Sequence, residues 1–485
     1  MGILSPVLAL ALLALIIRSG EASAGGNTVQ DLVPSLELYK ASDTWRVSQG
    51  KLRVLKLNEL ATSILIETDP GSETKVIFTA PDVPGEKRFL DMKLLATERK
   101  VSLITSKEES PELTVPRGGF GWFVLCYSPQ NINLLTFHPK RQLKVPETEV
   151  LRAKYPVVDV HAHICEDPNA TPQSRLEIMD AVGVAIVIDS PLTSQGNFTE
   201  ESYRRFQSQS PKRFMTFASV DVANHEEKGF MDKVVATLKS DVKTFGPVGI
   251  AEMIDKGCGF DRLSWFPDPH GSLFVDSEAL SPLWQAITEL HLPVLLHVTD
   301  PAGFDLDPAE SELVLDLVSN PWYSLHDLPA YSREEMLRRR DVLLERFPNL
   351  TVISAHIDNN MDNLSAVAAR LRKFPNLYME IGMRHLELAQ QPRTARKFFE
   401  EFQDRILFGA DSLEEMDGYR LQFRIFETED DAIIRPFEHN SLWPAYGLGL
   451  PDVILKKLYY ANAAKVIPHV KENLLALYPG LDFPQ

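Results

Sequence analysis

The sequence predicts a smaller all-β, sandwich-like domain followed by an α/β domain that forms a (β/α)8 TIM barrel. Between residues 25 and about 145, short strands follow one another without a helical segment of useful length. From residue 155 onward, apolar strands alternate with helical segments eight times, as in a parallel sheet with crossover helices. The 485 residues are also enough for one barrel and one smaller domain.

The composition limits the partners that the protein can have. The chain carries 67 acidic and 50 basic residues, a formal net charge of −17, and 44% hydrophobic residues. This acidic balance disfavours nucleic acid or an anionic membrane as the main partner and is typical of a soluble protein. We therefore expect a small-molecule substrate as the partner, and a homo-oligomer remains open.

Residues 1–24 have the pattern of an export signal. The apolar core at residues 7–17 is too short to span a bilayer, and Ala22-Ser23-Ala24 provides a small-x-small cleavage site. Unusually for a signal, no Lys or Arg precedes the core, and Arg18 follows it. Because no other stretch reaches the length of a membrane span, the sequence predicts a cleaved signal and an exported protein, periplasmic or secreted.

The predicted β domain spans residues 25–145 and precedes a charged linker at residues 144–155. Turn signals divide it into short strands rich in β-branched residues, as in a β-sandwich. The predicted strands are residues 52–57, 63–68, 75–79, 89–95, 100–105 and 122–127. Trp45, Trp122 and Tyr127 are candidates for a carbohydrate-binding face, although such aromatic residues more often lie in a core.

The predicted barrel spans residues 155–470 and contains eight strands. These are residues 157–161, 185–189, 214–220, 248–253, 293–297, 351–356, 377–381 and 406–410. Amphipathic helices are predicted at residues 281–290, 332–347, 362–374 and 392–402, and a late helix at 451–467 can close the ring. Two S-x-x-E sequences, beginning at Ser174 and Ser332, are typical of helix starts. A doubly wound open sheet is the alternative, but the chain lacks its glycine-rich phosphate loop.

Histidines and one aspartate lie where barrel strands end, which is where barrels carry their functional groups. His161 and His163 end the first strand and, two residues apart, point to the same side. His297 ends the fifth strand, His356 ends the sixth, and Asp411 follows the eighth. Core histidines joined by a hydrogen bond would explain one HxH pair, but packing does not readily explain the whole set. Converging imidazole and carboxylate groups therefore predict a metal site.

The order HxH, His, His, Asp along these strands resembles the amidohydrolase superfamily. The segments Asp159-Val160-His161-Ala162-His163, Ser354-Ala355-His356 and Leu407-Phe408-Gly409-Ala410-Asp411-Ser412 are similar to its amidohydrolase-2 branch, as are Phe347-Pro348-Asn349-Leu350 and Tyr460-Ala461-Asn462-Ala463-Ala464. The resemblance covers about residues 155–467 and leaves the β domain outside. That branch contains hydrolases, non-oxidative decarboxylases and lactonases, so the resemblance implies a fold and a metal site but no substrate.

The resemblance also implies roles for these residues. His161, His163, His297 and Asp411 would ligate one divalent ion, and His356 would lie beside it. Asp411 would accept the proton of the water that the ion activates, and His356 would orient that water or polarise a substrate carbonyl. Zinc is the default ion for three histidines and one aspartate, with manganese, iron and nickel as alternatives.

Several residues near the predicted site have open roles. Related two-metal enzymes carry a bridging lysine or glutamate on the fourth strand, which here holds Glu252 and no lysine. Glu252 could bridge, bind substrate or pair with a cation, and we expect a single metal. The long loop at residues 298–349 is predicted to shape the pocket with Asp300, Trp322, Tyr323, His326 and Tyr331. Arg384 follows the seventh strand, either as a carboxylate anchor or as part of a structural ion pair.

Cys165 raises a separate question, because it follows His163 by two residues and could reach the metal as a thiolate. A buried thiol is commoner, and we adopt that interpretation. The other cysteines are Cys126 and Cys258, and an odd total excludes complete pairing within the chain.

Three functions are compatible with these observations. The first is a metal-dependent hydrolase acting on an amide, ester or lactone. The second is a non-oxidative decarboxylase of a small carboxylic acid on the same site. The third is a non-enzymatic glycan-binding protein that uses the β domain, against which the complete set of ligands argues.

Overall fold

The computed structural model describes residues 143–484 with internal gaps, and the backbone of eight strands between residues 44 and 126. The gaps are residues 192–197, 223–224, 226, 258, 261–272, 308–309, 314–316, 318–322, 327–330, 412–414 and 434–443. The predicted signal at residues 1–24 lies outside the described residues. So do Tyr127, Cys258 and Trp322, and the side chains of Trp45, Trp122 and Cys126.

The chain divides into two compact units. One comprises Met1–Gln142, Gly303–Asp327 and Arg435–Leu442, and the other comprises Leu143–Ala302, Leu328–Ile434 and Trp443–Gln485. The domain boundaries at residues 25–145 and 155–470 stay a prediction.

The strands of the first unit pair in antiparallel fashion. They are β1 (Thr44–Val47), β2 (Lys51–Asn58), β3 (Ala61–Glu67), β4 (Val76–Thr79), β5 (Asp91–Leu94), β6 (Lys100–Ser102), β7 (Glu112–Thr114) and β8 (Phe120–Cys126). β2, β3, β8 and β5 form one sheet in that order, while β1 pairs with β4 and β6 with β7. Six strands overlap predicted segments, and β1 and β7 were not predicted. That these strands build a separate sandwich-like domain stays a prediction.

The second unit is an α/β fold with eight parallel strands. They are β9 (Val157–Ala162), β10 (Val184–Asp189), β11 (Phe214–Thr216), β12 (Ile250–Asp255), β13 (Val294–Val298), β14 (Val352–Ser354), β15 (Leu377–Glu380) and β16 (Ile406–Leu407). β11, β10 and β9 pair in one sheet, and β12 to β16 pair in sequence in another. A parallel bridge between Ala218 and Ile250 joins the two sheets. The ring closes where the amide of Val160 donates to the carbonyl of Phe408 at 3.0 Å.

Apolar side chains explain why these segments form strands. Val157, Val158 and Val160 in β9 are fully buried, as are Leu295 and Leu296 in β13, because both faces of a barrel strand are covered. The third, sixth and eighth strands end earlier than predicted, and the sixth ends at Ser354, so that His356 lies in the turn after it. Beyond Thr216 and Leu407 the ladder is reduced to isolated hydrogen bonds with the neighbouring strands.

Helices connect the strands and cover the barrel. The longer ones are α1 (Pro172–Val182), α2 (Phe230–Phe245), α3 (Ser281–Glu289), α4 (Arg333–Arg346), α5 (Leu364–Lys373), α6 (Pro392–Phe402) and α7 (Met416–Glu427), and the last is α8 (Val470–Leu477). In the described part of the chain, we find no helix with the length and hydropathy that a membrane crossing requires.

One helix prediction needs correction. The Ser174 sequence does not start its helix, because Thr171 caps α1 and exchanges reciprocal hydrogen bonds with Ser174. The helix predicted at residues 451–467 is confirmed over Asp452–Val466, with one wider helical turn at Lys457–Ala461. The prediction at Ser332 is confirmed, since its side chain accepts from the amide of Glu335 at the start of α4.

Asp189 is a buried carboxyl group at the end of β10. One oxygen accepts from the amide of Cys165 at 3.1 Å, and the other accepts from the hydroxyl of Ser202. Burial raises the pKa of Asp189 to about 7, although both hydrogen bonds act in the opposite direction. A folded-state pKa above the unfolded value contributes stability at low pH, and that stability is lost as the pH rises through the folded value.

We expect Asp189→Asn to remove this pH dependence, because an amide keeps the shape and cannot ionise. As the pH rises from about 5 to about 8, the wild type should lose this contribution to its free energy of unfolding, and the variant should not. The variant should therefore become more stable relative to the wild type, by on the order of 1.4 kcal/mol for each unit by which the pKa of Asp189 is raised within that pH range. Thermal unfolding midpoints of both proteins at the two pH values measure this. An equal difference between the proteins at both pH values would contradict the assignment.

Candidate metal centre

The carboxyl ends of the barrel strands bring six candidate side chains together. They are His161 in β9, His163 directly after it, Glu252 in β12, His297 in β13, His356 after β14, and Asp411 after β16. The side chains of Asp411 and His163 are 17% and 10% exposed, and the other four are more deeply buried.

The two histidines of the HxH pair converge through their Nε2 atoms, which lie 3.0 Å apart. The Nδ1 atom of His161 lies 3.1 Å from a carboxylate oxygen of Glu380. A carboxylate only accepts, so Nδ1 carries the proton and Nε2 of a neutral His161 presents its lone pair. Metal-binding histidines are held by outer carboxylates in this way.

Carboxylates complete the group around these nitrogen atoms. Asp411 Oδ1 lies 3.3 Å from Nε2 of His163 and 3.8 Å from Nε2 of His161. Glu252 Oε2 lies 3.5 Å from both Nε2 atoms. Each Nε2 atom of the HxH pair thus has one oxygen of Asp411 and one oxygen of Glu252 within 3.8 Å.

The second oxygen of Glu252 faces the other two histidines. Glu252 Oε1 lies 2.7 Å from Nδ1 of His297 and 3.3 Å from Nε2 of His356. Nε2 of His297 lies 3.0 Å from Asp300, which also pairs with the ammonium group of Lys256 at 2.8 Å. Glu252 therefore connects the HxH pair to the remaining histidines.

The predicted ligands are partly grouped together. His161, His163 and Asp411 form one cluster whose ligand atoms lie within 4.8 Å of one another, and His161, Glu252 and His356 form a second. His297 is adjacent, but its ring nitrogens face Glu252 and Asp300. The four-residue ligand set stays a prediction, as do the catalytic roles of Asp411 and His356.

The electrostatics of the cluster favour a cation. Burial lowers the pKa of His161, but the charges of Glu252, Glu380 and Asp411 outweigh it and raise that pKa well above its usual value. Burial raises the pKa of Asp411, but His161 and a hydrogen bond with His163 hold it well below the usual range. Carboxylates and imidazole lone pairs that bind protons strongly can bind a divalent ion in their place. The donor set, nitrogen and carboxylate oxygen, fits such an ion.

Left-handed backbone conformations occur at the ends of several barrel strands. Positive φ values occur at Thr299 (61°), Met383 (57°), Asp411 (45°) and throughout His356–Asn359 (58°, 51°, 67° and 47°). Residues other than glycine rarely adopt this region, and Ile357, which is β-branched, is strained there. Such strain commonly marks functional sites.

A buried ion pair stabilises the turn that carries His356. Asp358 accepts from Arg340 at 2.6 Å and from the Ser354 hydroxyl at 2.7 Å, and it also pairs with Arg370. Arg340 and Asp358 are fully buried. Arginine side chains outside the histidine cluster thus contact the turn through Asp358.

Two buried carboxylates near the site were not predicted from the sequence, Glu380 beside His161 and Asp358 in the turn that carries His356. Glu380 is an acidic residue at the end of an apolar strand. That position is a usable signal, since a buried carboxylate requires a partner. Asp300, which was predicted in the pocket loop, contacts His297.

The pocket role expected for the loop at residues 298–349 stays a prediction, and three of its described aromatic side chains have the following contacts. Tyr331 is 40% exposed and packs against Phe274 and Arg339. Tyr323 stacks on Phe304, and the His326 ring faces the carbonyl of Asp305.

Comparison with known proteins decides the family. Residues 158–468 match the model of the amidohydrolase family in its second branch. The chain belongs to the amidohydrolase family. The match covers most of the chain and contains every candidate ligand, so the resemblance seen in the sequence is confirmed. A search of curated proteins finds no match.

Solved structures similar to this amidohydrolase include a decarboxylase, a hydratase and an uncharacterized TIM-barrel protein. A 2,6-dihydroxybenzoate decarboxylase from Rhizobium is 17% identical, with 66% of this chain and 100% of that chain covered and a TM-score of 0.39. A 4-oxalomesaconate hydratase from Rhodopseudomonas palustris is 15% identical, with 66% and 98% covered and a TM-score of 0.38. An uncharacterized TIM-barrel protein from Bordetella bronchiseptica is 14% identical, with 64% and 98% covered and a TM-score of 0.41. These likenesses identify no reaction.

Cys165 lies beside the site of this amidohydrolase as a buried, free thiol. Burial raises its pKa to about 12, with further contributions from Asp189 and Glu201. Among the described residues, the two clusters of potential ligand atoms do not include this thiol.

We expect Cys165→Ser to bind a divalent metal in the same amount as the wild type, because the thiol lies outside both clusters of potential ligand atoms. Elemental analysis of both proteins after dialysis against zinc measures this, with His163→Asn as the control that loses metal. Loss of metal from the Cys165→Ser protein would instead make the thiolate a ligand.

Proposed function

We propose that this amidohydrolase is a metal-dependent hydrolase that cleaves an amide, ester or lactone in a small molecule. The convergence of the Nε2 atoms of His161 and His163 with the carboxylates of Asp411 and Glu252 carries the proposal. Family membership supports an enzyme of the hydrolase or decarboxylase kind.

The metal ligands in this proposal are His161, His163, His297 and Asp411. The first two and Asp411 already form one cluster, and His297 lies next to it across Glu252. Zinc suits a site of imidazole and carboxylate ligands, and manganese, iron or nickel would also fit. A bound divalent ion supplies Lewis-acid chemistry, which lowers the pKa of water and polarises a carbonyl group.

Asp411 and His356 are the groups placed to move protons. Nearby histidines hold the pKa of Asp411 well below its usual range, which favours the carboxylate form. Asp411 is also the most exposed carboxylate of the cluster, so it would be accessible to a water molecule whose proton it accepts. Its second oxygen lies 3.7 Å from Nε2 of His356. Because Nδ1 of His356 faces the Gly382 carbonyl at 2.9 Å, its Nε2 atom points into the site.

We expect Asp411→Asn to lower turnover per bound metal by roughly 10²–10⁴-fold, the usual cost of losing a general base. The amide keeps the size and one oxygen, and three histidines remain to hold the ion, so metal content should fall less than turnover. Turnover and metal content are measured on the same preparation. Full turnover per metal in the variant would restrict Asp411 to binding and transfer the proton to His356 or Glu252.

Replacing His297 and His356 separately tests the ligand set. Replacing a residue that contacts a ligand but not the ion typically weakens metal binding roughly 10–100-fold. We expect His297→Asn to weaken zinc binding by more than this, since it removes a ligand. His356→Asn should retain the metal and lose activity. Competition titrations with a chromophoric chelator measure both affinities. The opposite result would assign the ion to the cluster of His161, Glu252 and His356.

Decarboxylation is a second candidate, and Arg384 favours it. Arg384 is 9% exposed, and its guanidinium contacts Glu387 and Asn359 at 3.3 Å each. Among the described residues, Nε of Arg384 has no hydrogen-bond partner. This edge could accept a substrate carboxylate, while the contact with Glu387 fits the structural ion pair also expected from the sequence.

Product analysis distinguishes the two reactions. A panel of amides, lactones and aromatic carboxylic acids is incubated with the zinc-loaded and the manganese-loaded protein. Hydrolysis consumes water and yields an acid, whereas decarboxylation releases carbon dioxide. Carbon dioxide without hydrolysis of any panel member would replace the first proposal with the second.

A further inference from the structure

Glu380 is a fully buried carboxylate at the end of β15, and its two oxygens have different partners. Oε1 lies 3.1 Å from Nδ1 of His161 and accepts from the main-chain amide of His356 at 2.6 Å. Oε2 accepts from the amide of Gly382 at 2.5 Å. One carboxylate therefore contacts the side chain of one site histidine and the backbone of another.

Gly382 extends this network to the His356 ring. Its amide donates to Glu380, and its carbonyl oxygen lies 2.9 Å from Nδ1 of His356. A carbonyl oxygen only accepts, so Nδ1 of His356 is the donor. The segment Glu380–Gly382 thus makes Nδ1 the donor in both His161 and His356. In the neutral rings, each Nε2 atom is therefore unprotonated, and its lone pair faces the site.

Two glycines leave space for the Glu380 carboxylate. A Cβ atom on Gly409 would lie 2.2 Å from Oε2 of Glu380 and 2.9 Å from Cβ of His161. A Cβ atom on Gly382 would lie 2.8 Å from the same oxygen and 2.9 Å from Cβ of Asp411. Real Cβ atoms do not approach so closely, so both positions need glycine for the carboxylate to sit where it does. Each glycine thus lies between the Glu380 carboxylate and the Cβ atom of a predicted ligand, His161 for Gly409 and Asp411 for Gly382.

We propose that Glu380 is the positioning residue of the metal centre, which fixes the ring orientation and tautomer of His161 and the position of His356. It does not contact the ion itself. The proposal rests on the metal site of the proposed function and adds a residue that acts through the ligands. Outer carboxylates of this kind also make the imidazole they hold a stronger base and a better ligand.

The test is Glu380→Gln in the full chain. Glutamine has nearly the same shape, but its amide group would face the Gly382 amide, so that two donors meet, and its charge is lost. We expect zinc affinity, measured by competition with a chromophoric chelator, to fall roughly 10–100-fold. The visible absorption bands of the cobalt(II)-loaded protein should also shift, because His161 is free to rotate, whereas a general loss of stability would leave them unchanged.

Glu427→Gln is the matched control. Glu427 is a partly buried carboxylate that accepts from the main-chain amide of Lys154 and from the hydroxyl of Tyr459. Like Glu380, it accepts from a main-chain amide and contacts a polar side chain, but it belongs to α7 and not to the site. We expect this variant to bind zinc as the wild type does and to give the same cobalt spectrum.

A measurement on the wild type covers the case in which Glu380→Gln does not fold. In the zinc-loaded protein, long-range ¹H–¹⁵N correlations should show His161 with a proton on Nδ1 and none on Nε2. A proton on Nε2 would overturn the proposal, as would zinc affinity and a cobalt spectrum in Glu380→Gln that equal those of the wild type. If the wild type binds no zinc, the proposed function fails together with this role. If only the Glu380 results fail, the proposed function stands.

Discussion

The structure of the second unit depends on one electrostatic constraint, the collection of buried carboxylates and imidazoles at one end of a parallel barrel. Asp411, Glu252 and Glu380 lie within hydrogen-bond or ion-pair distance of His161. Burying so much charge in an apolar barrel is costly unless protons or a metal ion compensate it. The pKa of His161 is raised and the pKa of Asp411 is lowered because the charged forms of these buried groups stabilise each other.

The surrounding fold holds these groups in place. Parallel strands bring their carboxyl ends to one side of the barrel, and left-handed turns after β14 and β16 direct His356 and Asp411 inward. The left-handed turn at His356–Asn359 contains Asp358, whose buried carboxylate pairs with Arg340. Rigid support of this type is what a metal site requires, because misplaced ligands lose affinity rapidly.

Much of this arrangement was predictable from the sequence, because its signals are local. Apolar runs followed by His161, His297 and His356 specify both a strand and the residue at its end, and the barrel rule then places these residues together. The family was confirmed over residues 158–468. Glu252 was recognised with its role open, and the structure places it between the two groups of histidines.

The remaining features depend on contacts between distant parts of the chain. No local pattern indicates that Glu380 lies against His161, 219 residues earlier, or that Gly409 must be small to admit its carboxylate. The helix start at Thr171 was missed because Ser174 offered a similar local sequence. The orientation of each imidazole likewise depends on the partner of its other nitrogen.

The central claim is that the cluster at the barrel mouth binds a divalent ion. The most direct measurement is an anomalous-scattering map from crystals of the purified protein, combined with elemental analysis of the same preparation. We expect one strong peak about 2.0–2.3 Å from Nε2 of His161, Nε2 of His163 and a carboxylate oxygen of Asp411. A preparation soaked in zinc that shows no peak among these residues would contradict it.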